Sequence, residues 1–162
     1  MPTISTVLAT FVDPMEGMRV TSVTDSGIAV SFDTLNGEGA GTAASPTETV
    51  LAALAACTAM DVASILRKKR QWVDRYQVSV RATRADENPT VFTSIVVEHQ
   101  VSGEVSAEAL RRSIELSATA YCPVSAMLSA SVPIEHRYRI RQEGDADVAD
   151  STLVVATGPN PR

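Results

Sequence analysis

Apolar residues alternate with polar ones in several short runs of this chain. The alternation is loose over residues 3–12 and regular over residues 28–32, which come after a turn-forming Asp25-Ser26-Gly27. Because successive side chains of a strand point to opposite faces, a period of two indicates a strand with one covered face. The pattern predicts antiparallel strands at the N-terminal end of the chain.

A second group of alternating runs predicts a β-hairpin and, later in the chain, a final strand. Residues 76–83 and 91–101 carry apolar side chains at alternate positions and are joined by the turn residues Asp86-Glu87-Asn88-Pro89. Residues 134–140 alternate with charged side chains, which indicates a strand with one wet face. We expect the core domain to close near residue 141.

A long apolar helix is predicted from Ser45 to about Arg70. Ser45 suits the N-cap position, Pro46 the first helical position, and Glu48 closes a capping box. The interior, residues 50–66, is rich in alanine and leucine and nearly free of charge. Such a helix is expected to be buried on most sides.

Two shorter helices are predicted before the final strand. Ser106 suits the N-cap of the first of them. Its apolar stripe is Leu110, Ile114 and Tyr121. Pro123 then forces a break before a third helix, which runs through Leu128. Cys122 is therefore predicted to lie at a helix start.

The last part of the chain departs from these patterns. Residues 142–150 are acidic and predict a loop, and the short apolar run 153–155 comes after them. We expect this tail, residues 142–162, to be either mobile or an added edge strand. Residues 1–141 are expected to form one domain, because a chain of 162 residues with 44% apolar side chains can bury one compact core.

Charge and targeting signals narrow the classes of function. Lys and Arg total 14 against 19 Asp and Glu, and the resulting charge of -5 repels phosphate backbones, so no nucleic-acid partner is expected. The longest apolar stretch, residues 50–60, is shorter than the roughly 20 residues of a membrane span. Residues 1–6 lack the features of a secretory signal. We expect a protein of the reducing cytoplasm with no membrane partner.

Cys57 and Cys122 are the candidate reactive residues. Cys57 lies on the apolar helix, where a lone buried cysteine is most often an inert small hydrophobe. Cys122 precedes Pro123 at a helix start, where free N–H groups stabilise a thiolate; otherwise it is a modest N-cap. Asp61, one turn after Cys57, requires a polar partner on an apolar face. Spacing alone leaves open whether the two cysteines act together.

The two histidines and Glu48 are further candidates. His99 and His136 fall on the apolar faces of their strands, and with the cysteines they show none of the usual zinc-ligand spacings, so no metal is expected. Glu48 lies about 13.5 Å before Cys57 along the helix axis. It reaches a thiol only if a second chain brings it to the other subunit's Cys57. The capping box otherwise accounts for Glu48.

Three short segments together resemble the OsmC/Ohr family. They are Ser45-Pro46-Thr47-Glu48, residues 55–62 around Cys57, and Tyr121-Cys122-Pro123-Val124. The residues immediately after Cys57 are most similar to the YhfA-like branch of that family. The resemblance implies an α+β, OsmC-like fold with antiparallel sheets around a long central Cys-bearing helix. It also implies an intertwined homodimer with a site at the subunit interface.

The same resemblance implies a thiol-dependent peroxidase. Cys57 would attack the O–O bond of an organic hydroperoxide and become a sulfenic acid, and Cys122 would resolve it as a disulfide. A dithiol reductant of lipoyl type would restore both thiols, with no metal or organic cofactor. Arg19, from the N-terminal strands, would lie beside the thiolate and hold a peroxide oxygen.

One position departs from the family pattern. The family glutamate that pairs with this arginine directly follows the proline, whereas here Thr47 occupies that place and Glu48 comes one residue later. Glu48 is our candidate for the acid, with Thr47 as the alternative. The departure leaves a second hypothesis open, a dimeric redox-sensing or ligand-binding protein whose thiols are structural or are modified without turnover.

Overall fold

The computed structural model describes residues 3–141 and 151–159. The chain divides into two compact units, Met1–Val50 and Leu51–Arg162, which are described in turn. The elements in chain order are β1 Val7–Phe11, β2 Val20–Thr24, β3 Ala29–Phe32, α1 Pro46–Lys68, β4 Arg75–Arg84, β5 Phe92–Ser102, α2 Ala107–Leu116, α3 Pro123–Ser129, β6 Ile134–Arg141 and β7 Thr152–Thr157. A π-helical turn, Ser117–Tyr121, joins α2 to α3.

The first unit contains a three-stranded antiparallel sheet in the order β1-β2-β3. The outer strands are those that the alternation predicts. The middle strand, β2, was not predicted, because its valines Val20 and Val23 are three residues apart and show no period of two. All five residues of β1 are exposed among the residues that the structure describes.

Helix α1 begins as its sequence predicts. The Ser45 hydroxyl accepts a hydrogen bond from the Glu48 N–H at 3.3 Å, and Glu48 Oε2 accepts one from the Ser45 N–H at 2.8 Å. The chain buries one stripe of the helix: Leu54, Thr58, Val62 and Leu66. Met60 is 72% exposed, so the expectation of a helix buried on most sides is wrong for a single chain.

The length and composition of α1 also match those of a membrane span. The sequence predicted no membrane span because only the central apolar stretch, residues 50–60, was considered. The helix itself has 23 residues. Core helices of soluble proteins can have the same length and composition. Asp61 lies on the half-buried part of this helix, where a carboxylate would be unfavourable in contact with hydrocarbon.

The second sheet has the order β4-β5-β6-β7. Strands β4 and β5 form the predicted antiparallel hairpin. Strands β5 and β6 pair in parallel, unlike the antiparallel arrangement expected, because α2, the π-helical turn and α3 between them supply a long crossover. β7 adds to β6 as an antiparallel edge strand, so this part of the predicted tail is ordered in the sheet. Residues 142–150 lie outside the described residues.

Two apolar clusters form the core of the second unit. One consists of Leu54, Ile95, Val97, Val132 and Ile134, and the other of Val62, Leu66, Val101, Leu110 and Ile114. Both clusters contain side chains from the same face of β5 and from the same buried stripe of α1. Between Leu54 and Val62 on that stripe stands Thr58, which is fully buried. The core is therefore interrupted by a polar position next to Cys57 in sequence.

Candidate functional site

Cys57 and Cys122 meet in the second unit. Cys57 is half-buried on α1, whereas Cys122, at the N-cap of α3, is only 2% exposed. Their two sulfurs and a carboxylate oxygen of Asp61 all lie within 4.8 Å of one another. The fold thus brings together two thiols that are far apart in sequence, together with a carboxylate.

The π-helical turn determines where Cys122 lies. Its N–H donates to the carbonyl of Ser117 at 2.9 Å, a bond that spans five residues rather than the four of an α-helix. Pro123 then takes the first position of α3, and the Ser125 N–H donates to Cys122 Sγ at 3.3 Å. The predicted helix start at Cys122 is confirmed.

Because of the same π-helical turn, one residue that was predicted to lie in the core is exposed. Leu110 and Ile114 are fully buried, but Tyr121 is 60% exposed. The prediction of Tyr121 on the apolar stripe is wrong because a regular α-helical period does not continue through Ser117–Tyr121. The buried residues of this turn are instead Ser117, which is fully buried, and Ala118.

Asp61 is held by a chain of buried hydroxyl groups. The Ser117 hydroxyl donates to Asp61 Oδ2 at 3.0 Å, and the Thr58 and Ser117 hydroxyl oxygens are 3.1 Å apart. Because Ser117 has one hydroxyl proton, Thr58 is the donor in the second contact. The polar partner that the position of Asp61 required is therefore Ser117. The sequence pointed to its existence through Asp61 but not to its identity.

The environment of Cys122 disfavours its thiolate. Burial, the neighbouring Cys57 and the charge of Asp61 together raise the pKa of Cys122 to about 11, despite the lowering effect of the Ser125 N–H. The helix start was expected to stabilise the anion. Desolvation outweighs it here, because a seven-residue helix contributes a single N–H contact to the sulfur. Cys122 is a protonated thiol at neutral pH.

A ladder of three rings crosses the core between the apolar clusters. Tyr76 stacks on His99 and His99 on His136, and the Tyr76 hydroxyl lies 2.7 Å from His99 Nδ1. Both histidines are fully buried, as their strand positions predict. Burial lowers the pKa of His99 to about 3 and that of His136 to about 4, so both are neutral at physiological pH. They do not belong to the group of donors around Cys57.

Arg19 and Glu48 belong to the first unit, whereas the donor group around Cys57 belongs to the second. Arg19 is exposed just before β2, its carbonyl accepts the Val12 N–H at 2.9 Å, and it lines a surface cavity of about 260 Å³. The acidic residues around this cavity are Asp13, Glu16, Asp33 and Glu38. Glu48 completes the cap of α1. Their parts in a reaction therefore stay predictions.

The chain is similar in sequence to known proteins. A family model described as OsmC-like protein matches residues 38–137. Protein YhfA of Escherichia coli strain K12 is 37% identical over 127 residues, which cover 78% of this chain and 92% of YhfA.

Solved structures share the fold. An OsmC-like protein from Mycoplasma pneumoniae superposes with a TM-score of 0.73 at 14% identity, covering 88% of this chain and 100% of that one. An organic hydroperoxide resistance protein from Elizabethkingia anophelis gives a TM-score of 0.64 at 17% identity, covering 87% and 100%. At these identities the likeness concerns the α+β fold alone. The family model, which spans most of the chain, and the identity to YhfA show that the protein belongs to the OsmC family.

Proposed function

We propose that this protein is a thiol-dependent peroxidase that reduces organic hydroperoxides to alcohols. The observation that carries the proposal is the approach of the Cys57 and Cys122 sulfurs to within 4.8 Å beside Asp61. A disulfide requires the two sulfurs to approach to about 2.05 Å, and their closeness in the reduced protein supports such a pairing. The Elizabethkingia anophelis protein that shares this fold is an organic hydroperoxide resistance protein, which supports the substrate class.

The proposed reaction has two steps at sulfur. The Cys57 thiolate attacks the O–O bond, so that one oxygen stays on Cys57 as a sulfenic acid and the other leaves as the alcohol after taking a proton. The Cys122 sulfur then attacks the sulfenic sulfur and releases water as the disulfide forms. Asp61 is within reach of both sulfurs and carries the Cys122 proton to the departing hydroxide. A small dithiol, for which a lipoyl compound is our candidate, reduces the disulfide by exchange.

Cys57 takes the attacking role because it is the more accessible of the two thiols. It is half-buried whereas Cys122 is buried, and the raised pKa of Cys122 leaves few thiolates at neutral pH. Arg19 is our candidate to hold the peroxide oxygen, since a guanidinium keeps its charge at any physiological pH. Glu48 is our candidate to orient that arginine, in a dimer that brings a second copy to the site. The protein works in the reducing cytoplasm.

The first test is peroxide consumption by the purified protein with cumene hydroperoxide and dihydrolipoamide. We expect turnover in the wild type and, with Cys57→Ser, a loss of about a thousandfold or more, because the hydroxyl is a far weaker nucleophile. Ala56→Ser places the same hydroxyl one residue away, at an exposed position, and is expected to retain activity. Unchanged turnover in Cys57→Ser contradicts the proposal. Oxidation of one equivalent without recycling would favour the redox-sensing hypothesis instead.

A homodimer is part of the proposal, and the exposed apolar surface supports it. All of β1 and the side chain of Met60 are exposed in the single chain, and soluble monomers rarely leave such extended apolar surface in water. We expect light scattering to give twice the chain mass of 17.2 kDa. Met60→Asp, on the exposed side of α1, should shift the mass toward the monomer, because it buries an unpaired charge in the interface. A monomeric wild type would contradict this expectation.

A further inference from the structure

We infer that the reduced site also binds one Zn²⁺ ion, through the sulfurs of Cys57 and Cys122 and the carboxylate of Asp61. The three donor atoms lie within 4.8 Å of one another, close to the separations in a tetrahedral zinc site, whose ligands lie about 2.0 to 2.3 Å from the metal. The usual sequence spacings of zinc ligands are absent because the fold, rather than a local motif, brings these donors together. This inference requires only reduced thiols and is independent of peroxidase activity.

Outer hydrogen bonds already hold two of the three ligands. The Ser117 hydroxyl donates to Asp61 Oδ2 at 3.0 Å, and the Ser125 N–H donates to Cys122 Sγ at 3.3 Å. Ligating carboxylates and thiolates in metal sites are oriented by contacts of this kind. Asp61 keeps its second oxygen for a metal while Ser117 holds the first. The site is therefore organised in the way that a metal-binding group requires.

The three ligands differ in their exposure to solvent. Cys122 is buried, whereas Cys57 and Asp61 are half-buried. A metal can therefore enter from the side of α1 and would retain one position for water or another ligand, since the protein supplies three. Cysteine binds zinc as the thiolate, so metal binding releases the thiol protons to solvent.

The donor set determines which metals should bind. Thiolates are soft ligands that select zinc and its spectroscopic substitute cobalt(II) over magnesium and calcium, which prefer oxygen. His99 and His136 are fully buried and stand outside the donor group, so imidazole is not expected to contribute. A site of two thiolates and one carboxylate is therefore expected to bind zinc and to ignore magnesium.

The experiment is a metal titration of the reduced, metal-free full-length protein without peroxide. We expect one Zn²⁺ per chain, release of protons, no effect of excess Mg²⁺, and with Co²⁺ a near-ultraviolet thiolate-to-metal absorption band. Cys57→Ser and Cys122→Ser should each remove that band, and Asp61→Asn should weaken binding at least about tenfold. Glu108→Gln, an exposed acid of α2, is the control and should bind as the wild type does.

Three outcomes overturn the inference: metal stoichiometry well below one per chain, an absent cobalt–thiolate band, or equal affinity in the Cys57→Ser protein. Should a variant fail to fold, wild-type protein alkylated at Cys57 before the titration poses the same question, and retained binding would overturn the inference. Peroxidase activity is measured separately in the presence of a chelator. Failure of metal binding therefore leaves the peroxidase proposal standing, and loss of peroxidase activity leaves the zinc site standing.

Discussion

Cys57 and Cys122 share one site but lie in opposite surroundings. Cys57 belongs to a regular 23-residue helix and is half-buried, while Cys122 follows a π-helical turn and is 2% exposed. Burial raises the pKa of Cys122 to about 11. Proximity alone therefore does not make the two thiols equivalent. The accessible thiol is suited to meet a substrate from solution, and the buried thiol to react only with a partner formed beside it.

Removal of the buried thiol should have the largest effect on the reaction. In Cys122→Ser we expect steady turnover to fall about a hundredfold or more, because no disulfide can form, while one equivalent of hydroperoxide per chain is still consumed. A sulfenic acid should then accumulate on Cys57. Dimedone labelling followed by mass spectrometry measures it. Turnover equal to that of the wild type would mean that Cys122 does not resolve the intermediate.

Thiol alkylation should distinguish the two cysteines by a smaller effect. In native, reduced protein we expect iodoacetamide to label Cys57 before Cys122, since the thiolate reacts and access controls the rate. For Cys122 the rate should rise about tenfold per pH unit between pH 7 and 9, because its pKa of about 11 keeps the thiolate fraction proportional to hydroxide concentration. Peptide mapping after timed quenching gives both rates. Equal labelling of the two residues would remove the asymmetry.

The parts of the fold that could be predicted are those with local signals. The start of α1 can be inferred from Ser45, Pro46 and Glu48, and the β4–β5 hairpin from alternation across turn residues. The parallel pairing of β5 with β6 could not be predicted, because pairing of strands distant in sequence leaves no mark in either one. The middle strand β2 lacks a regular period, and its existence depends on its two neighbours.

In the candidate site, too, only the features with a local sequence signal could be predicted. Cys122 at a helix start could be predicted from Pro123, and Asp61 indicated that a polar group faces α1. The identity of that group, Ser117, could not be predicted, because a serine at the start of a π-helical turn has no distinguishing sequence pattern. The meeting of the two thiols was inferred from the family resemblance and not from their spacing. The raised pKa of Cys122 depends on burial, which the local sequence does not reveal.

The π-helical turn before Cys122 makes the geometry of the thiols sensitive to chain length. The turn accommodates one residue more than an α-helical turn. At its start, the Ser117 side chain binds Asp61, and the Ser117 carbonyl accepts the backbone N–H of Cys122 at its end. An in-frame loss of a single codon in this stretch would restore the regular helix and rotate the residues after it by about 100°. Both cysteines would then survive in the gene while their sulfurs no longer faced each other.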